Sequence, residues 1–180
     1  SEPPCITGMR AARMRALIKS DINLFAYHLP LDCHPQHGNN ASLGRLMGIE
    51  APEALDPEDP GTPVFRGQLE GSVTVQGLAE RLSIALDRSP LVIGEGDVKS
   101  VAWCTGAGQG YIDLAADAGA DVYVTGEVSE QTAHVALERG IAFIGAGHHA
   151  TERYGVQAVG SLAAEALGLS HEFIDIDNPA

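Results

Sequence analysis

The chain reads as an α/β layered domain, and three observations predict this. From residue 100 onward, strand-like runs alternate with helix-like stretches. The links between them are short and marked by glycine. The chain is 180 residues long and 44% hydrophobic, enough for one sizeable core.

Taken in order, residues 8–20 (GMRAARMRALIKS) predict a basic amphipathic helix with Met9, Ala12, Leu17 and Ile18 on its apolar face. Leu24 to Tyr27 predict a short buried strand, stopped by Pro30. Residues 32–40 are loop-like, and Asn40 is placed to cap a short helix through ASLGRLMGI. Residues 50–66 are acidic, rich in proline and without a clean period, which predicts a surface loop or lobe connection. Thr74 is placed to cap a helix through VQGLAERLSIALD, and PLVIG predicts a strand. The regular part follows: VAWC strand, GQGYIDLAADAG helix, ADVYVTG strand, EQTAHVALERG helix, IAFIGAG strand, a long helix from His148, and HEFIDID as a last strand.

The formal net charge is -13, from 11 Lys and Arg against 24 Asp and Glu. That surface repels a phosphate backbone and argues against general nucleic-acid binding; a nucleotide is accessible to it only where a cation bridges the two. No apolar run approaches the ~20 residues of a membrane span, and the opening residues hold no secretory apolar core. Cys5, Cys33 and Cys104 are odd in number and sparse, with neither zinc-finger spacing nor a disulfide framework. A soluble protein of a reducing, cytoplasmic compartment is expected. The glycines of CTGAGQG lack the spacing and downstream acid of a dinucleotide fingerprint.

Chemistry concentrates in four places. In GAGHHATERYG, His148, His149 and Glu152 stand where a strand gives way to a helix. His148 and Glu152 are four apart and share a helix face; imidazole and carboxylate there suit a divalent cation, while an exposed helix start is the plainer reading. In YHLPLDCHPQHGNN, His28 and Asp32 leave a predicted strand end, although Asp32 also suits a simple turn. His34 and His37 fall in the solvent loop and outside the site. CTGAGQGYID offers backbone that can approach a ligand closely, or merely a tight turn. In VTGEVSEQTAH, Glu127 lies just past a strand and is a candidate for the same cleft, with His134 inside the next helix. Cys104, at a buried strand end, is expected to be inert.

Together, YHLPLD…GNN, VAWCTGAGQGYIDLAADAGADVYVTGEVSEQTAH and GAGHHATERYG closely resemble the NIF-three-like dinuclear metal centre family, whose members carry the label "GTP cyclohydrolase 1 type 2 homolog". The resemblance runs from about Gly8 to FIDIDNPA and is to the short bacterial form. It implies a three-layer α/β/α fold with two lobes, here about 1–95 and 96–180 of a single family domain. It also implies a homohexamer and two adjacent divalent cations (iron, manganese or zinc) held by Asp32, His148 and the bridging Glu152. His28 and His149 match positions that orient ligands or solvent, and Glu127 and His149 are candidates to move a proton. The implied activity is metal-assisted hydrolysis of a nucleotide-like or other small polar substrate. The alternative is a non-enzymatic metal-binding adaptor or metal-handling protein. The family also carries a His-His-Gly motif ahead of the matched region, and residues 1–7 offer nothing equivalent. The N-terminal lobe is therefore expected to be incomplete and metal binding weakened.

Overall fold

The computed structural model describes residues 5–59 and 61–180. Residues 1–4, part of the stretch read above as offering no equivalent of the His-His-Gly motif, lie outside the described residues. The order is α1 (Gly8–Lys19), α2 (Leu29–Asp32), α3 (Asn39–Met47), β1 (Glu53–Ala54), β2 (Phe65–Thr74), α4 (Val75–Leu86), β3 (Leu91–Ile93) and β4 (Asp97–Cys104). A 3₁₀ turn (Gln109–Tyr111) then leads into α5 (Ile112–Asp117), β5 (Val122–Thr125), α6 (Glu130–Arg139), β6 (Ala142–Gly145) and α7 (His148–Leu167).

The strands form one six-stranded mixed sheet in the order β1-β2-β4-β5-β6-β3. Its centre, β4-β5-β6, is parallel, while β2 runs antiparallel to β4 and β3 antiparallel to β6. Parallel central strands need both faces covered, and the side chains alternate to match. Val101, Trp103, Val124 and Ile144 face α3, α4 and α7. Ala102, Cys104, Tyr123 and Phe143 face α5 and α6. The result is the three-layer α/β architecture expected from the alternating pattern.

Local chemistry sets the helix ends. Thr74 accepts the Gly77 N–H at 3.0 Å, as its position predicts. Ser129 and Thr132 cap α6 reciprocally, and Gly140 closes it in the left-handed region at φ 65°. Asp121 accepts from the Lys99 and Ser100 N–H groups at 2.8 and 2.7 Å and ties the start of β5 to β4.

Four expectations are corrected. Leu24 to Tyr27 form no strand; Leu24 is 71% and Phe25 77% exposed, because no described strand lies beside them to pair. Pro30 does not stop a strand but sits in the first turn of α2, where its missing N–H costs nothing. Asn40 is not the cap of α3, which begins after Gly38; its amide is spent on tertiary contacts. HEFIDID is not a strand: residues 169–180 run without regular structure and are held by side-chain contacts to α7. The helix α1 forms over nearly the expected span but buries none of its residues. The ten-residue β2 went unrecognised because most of it is exposed and a bulge between Gln68 and Val73 breaks its alternation.

Candidate metal centre

The parallel strands β4, β5 and β6 end on the same edge of the sheet, where ligands collect in α/β folds. Each contributes from the segment just past its end: Thr105 and Gly106 after β4, Glu127 after β5, and His148 and Glu152 from the first turns of α7 after β6. Asp32 comes from outside the sheet, as the last residue of α2. Asp32, His148 and Glu152 line one cavity of about 230 Å³, together with His28, Cys104 and Thr105.

The imidazole of His148 is held at both nitrogens, Nδ1 lying 2.7 Å from Glu127 Oε1 and Nε2 3.1 Å from Glu152 Oε2. Glu127 in turn accepts from Gln109 Nε2 at 3.2 Å. Burial opposes a charge on His148, but the bond to Glu127 and the nearby Glu152 and Glu127 charges outweigh it and raise its pKa. The bond from His148 lowers the pKa of Glu127. Glu152 goes the other way: burial and then the negative charge of Asp32 raise it. Burial likewise pushes the Cys104 thiol up to about 12, with Asp32 adding to it, which disfavours the thiolate.

Asp32 is only 6% exposed. Its Oδ1 accepts from Asn39 Nδ2 at 2.7 Å, and its Oδ2 lies 4.0 Å from His28 Nε2. His28 itself is solvent-exposed, so this second contact is loose. Neither Glu127 nor His149 lines this cavity; Glu127 reaches it only through His148. His149 is turned elsewhere. Its Nε2 pairs with Asp175 Oδ1 at 2.9 Å, and it shares with His148 and Glu152 a neighbouring cavity of about 530 Å³ walled by the C-terminal tail. His34 is exposed and accepts from the backbone of Gln36 and His37, consistent with its place in a solvent turn. His134 sits inside α6.

The donor set is two carboxylates and an imidazole, the mixed oxygen and nitrogen chemistry of a divalent cation. Among the described residues, no group of three or more His, Cys, Asp or Glu side chains is drawn together closely enough to hold a metal ion as it stands. Two further observations bear on fit. A Cβ on Gly106 would fall on Glu152 Oε1 and within 3.1 Å of His148 Nε2, and its φ of 65° also favours glycine, so the backbone here is cut back to leave the donors room. The hydroxyl of Thr105, a buried residue lining the same cavity, has no hydrogen-bond partner among the described residues. The residues present fit a cation as an open, partial donor set with an unpartnered hydroxyl beside it.

Sequence reading missed Asn39, Asn40 and Thr105. The signal available was the tandem amide at the head of α3: asparagine is a poor helix-interior residue, and two in succession ahead of an apolar run call for a partner elsewhere.

The comparisons with known proteins agree with this architecture. Residues 3–179 match the model of the Duf34/NIF3 (NGG1p interacting factor 3) family, and the chain belongs to that family. It is 50% identical over 180 residues to a Pseudomonas aeruginosa protein named "GTP cyclohydrolase 1 type 2 homolog", covering 99% of this chain and 71% of that one. A Haemophilus influenzae protein of the same name is 50% identical over 183 residues, covering 100% of this chain and 72% of the relative. Among solved structures, the chain superposes on protein ybgI, described as of unknown function, with a TM-score of 0.90 and 46% identity, over 99% of this chain and 72% of that one. TTHA1606 from Thermus thermophilus gives a TM-score of 0.88 at 33% identity, over 99% and 71%.

Proposed function

We propose that this chain is a divalent-metal-binding protein of the cytoplasm and a metal-dependent hydrolase, holding cations with Asp32, His148 and Glu152. The substrate class is a nucleotide-like or other small polar molecule, in keeping with the cyclohydrolase-type names of its relatives. The observation that carries the reading is the shared 230 Å³ cavity, where two carboxylates and an imidazole meet and Glu152 is raised by burial and by Asp32. Such a pair of carboxylates carries more negative charge than its protein surroundings offset, and a cation offsets it. When bound, the metal supplies Lewis acidity, polarising an oxygen and acidifying water.

The chain's own residues do the rest. With Nδ1–H donated to Glu127, His148 would present its Nε2 lone pair to a bound cation; without one, the 3.1 Å contact of Nε2 with Glu152 Oε2 needs a proton between the two. Thr105 offers its unpartnered hydroxyl to a substrate oxygen. Proton movement is assigned to Glu127 or His149, each of which would first have to release its present partners, His148 and Gln109 for Glu127 and Asp175 for His149. The acting species is proposed to be a homo-oligomer, a hexamer by family likeness.

One observation favours a second reading, a non-enzymatic metal-binding adaptor or metal-handling protein. The cavity, about 230 Å³, is smaller than the roughly 300–1,000 Å³ of most small-molecule sites. The test is calorimetric titration with Mn²⁺, Zn²⁺ and Fe²⁺ of the parent and of Glu152→Gln, followed by hydrolysis assays with nucleotides on the loaded protein. Metal binding that Glu152→Gln abolishes, together with turnover, supports the hydrolase. Binding without turnover of any nucleotide supports the adaptor. No binding by the parent protein removes both.

A further inference from the structure

We propose that Asn39 is the positioning residue that sets the Asp32 carboxylate against the donor-bearing face of α7. This rests on the reading of Asp32, His148 and Glu152 as cation donors. It adds a residue that neither the composition of the site nor the family likeness assigns.

Asn39 is 3% exposed and opens α3. Its Nδ2 donates to Asp32 Oδ1 at 2.7 Å, and its Oδ1 accepts the backbone N–H of Gly155 at 2.7 Å. The orientation of the amide is forced: a backbone N–H only donates, so the oxygen must face Gly155 and the NH₂ must face the carboxylate. Gly155 is seven residues after His148 and three after Glu152, so all three share one face of α7. A single buried amide therefore spans from the carboxylate on α2 to the backbone beneath the two donors on α7. It also occupies Asp32 Oδ1 and leaves Oδ2 as the freer oxygen.

The fit on α7 is close. A Cβ on Gly155 would stand 2.7 Å from Asn39 Oδ1 and 3.0 Å from Leu31 Cγ, so only glycine lets the amide in. Asn39 and Asp32 are both buried, and no solvent competes for the bond between them. Groups that orient metal-binding side chains in this way govern affinity without touching the metal.

The test uses the full chain and Mn²⁺ alone as probe, by calorimetry, with the visible spectrum of bound Co²⁺ as a second readout. Four proteins are compared: the parent, Asp32→Asn, Asn39→Leu and Gly155→Ala. Each is measured well below its metal-free melting transition, with near-ultraviolet circular dichroism confirming the fold. Asn39→Leu removes the amide. Gly155→Ala displaces it from the far side while favouring helix, so a loss there does not reflect a weakened α7. Both are expected to lose about 10- to 100-fold in Mn²⁺ affinity and to shift the Co²⁺ spectrum, with Asp32→Asn losing more. A merely structural role would lower the melting temperature and leave affinity and spectrum unchanged. Parent-like affinity and spectrum in either Asn39→Leu or Gly155→Ala overturns the positioning role. If Asp32→Asn also titrates like the parent, or the parent binds no Mn²⁺, the site reading falls together with it.

Discussion

Helix α7 is gripped from two sides by contacts of opposite character. On the face of Glu152 and Gly155, the neutral amide of Asn39, at the buried start of α3, reaches across to it and to Asp32. On the face of His149 and Arg153, the exposed tail holds it through Asp175, which hydrogen-bonds His149 at 2.9 Å and pairs ionically with Arg153 at 2.9 Å. The hydrogen-bond lengths are similar, but the surroundings differ. A buried bond has no water to replace it, so losing one partner leaves the other stranded. An exposed ion pair is screened, and its partners are rehydrated at little cost. The buried side is therefore expected to define geometry, and the tail side to be the adjustable one.

The largest effect should come from Asn40, neighbour of the proposed positioning residue. Its Nδ2 donates to the Asp32 and Pro63 carbonyls at 3.1 and 3.3 Å, and its Oδ1 accepts the Thr105 N–H at 3.0 Å. It joins α2, the loop before β2 and the turn after β4, and it is fully buried. Asn40→Ala strands three backbone groups and should cost about 3 kcal/mol or more, read by urea denaturation. A loss within the few tenths of a surface substitution would show that the buried network is not what holds this side together.

Gly106→Ala should come next. The φ of 65° alone costs an alanine about 1–2 kcal/mol, and the added Cβ falls on Glu152 Oε1. Stability should drop by roughly that amount while Mn²⁺ affinity drops disproportionately, because the intruding methyl displaces a donor. Gly119→Ala is the control: its φ of 74° is similar but its Cβ meets nothing within 4 Å, so it should reproduce the stability loss alone. Equal Mn²⁺ affinity in the two variants would separate Gly106 from the site.

How much of this was legible in the sequence follows from the same contrast. The central β4-β5-β6 unit was readable because its strands are buried on both faces and alternate with helices over short links. Asp32, His148 and Glu152 are singled out in the sequence both by their places at or just past strand ends and by the family resemblance, and all three line one cavity; that they ligate a metal is the proposal made above. Asn39 is not singled out, because its partners are 7 and 116 residues away and no local period encodes them. Leu24 to Tyr27 and the tail were misread for the converse reason: FAY and FIDID carry strand-like residues, but strand formation needs a neighbour that sequence does not supply.

The smallest thermodynamic effect should come from the tail, where the two-sided picture makes a signed prediction. The bond from His149, and then the charge of Arg153, hold the Asp175 carboxyl below its ordinary range. A carboxylate depressed in the folded state stabilises it above the unfolded pKa, and that contribution is lost as pH falls through the lower, folded value. Acidification below the ordinary aspartate range should therefore loosen residues 171–180, and high salt should do the same at neutral pH by screening. Arg88, which donates to the Pro179 and Ala180 carbonyls at 2.6 and 3.2 Å, is a second tie and should limit the release. Asp175→Asn should leave the melting temperature nearly unchanged while raising amide hydrogen exchange across the tail, and Asp175→Asn with Arg88→Ala should free it further. Because the tail walls the 530 Å³ cavity that His148 and Glu152 share, its release should open that side of both residues without moving Asp32. Exchange in the double variant as slow as in the parent, with the melting temperature sharply lowered, would mean that the tail is bound into the core and that the two sides of α7 do not differ as argued.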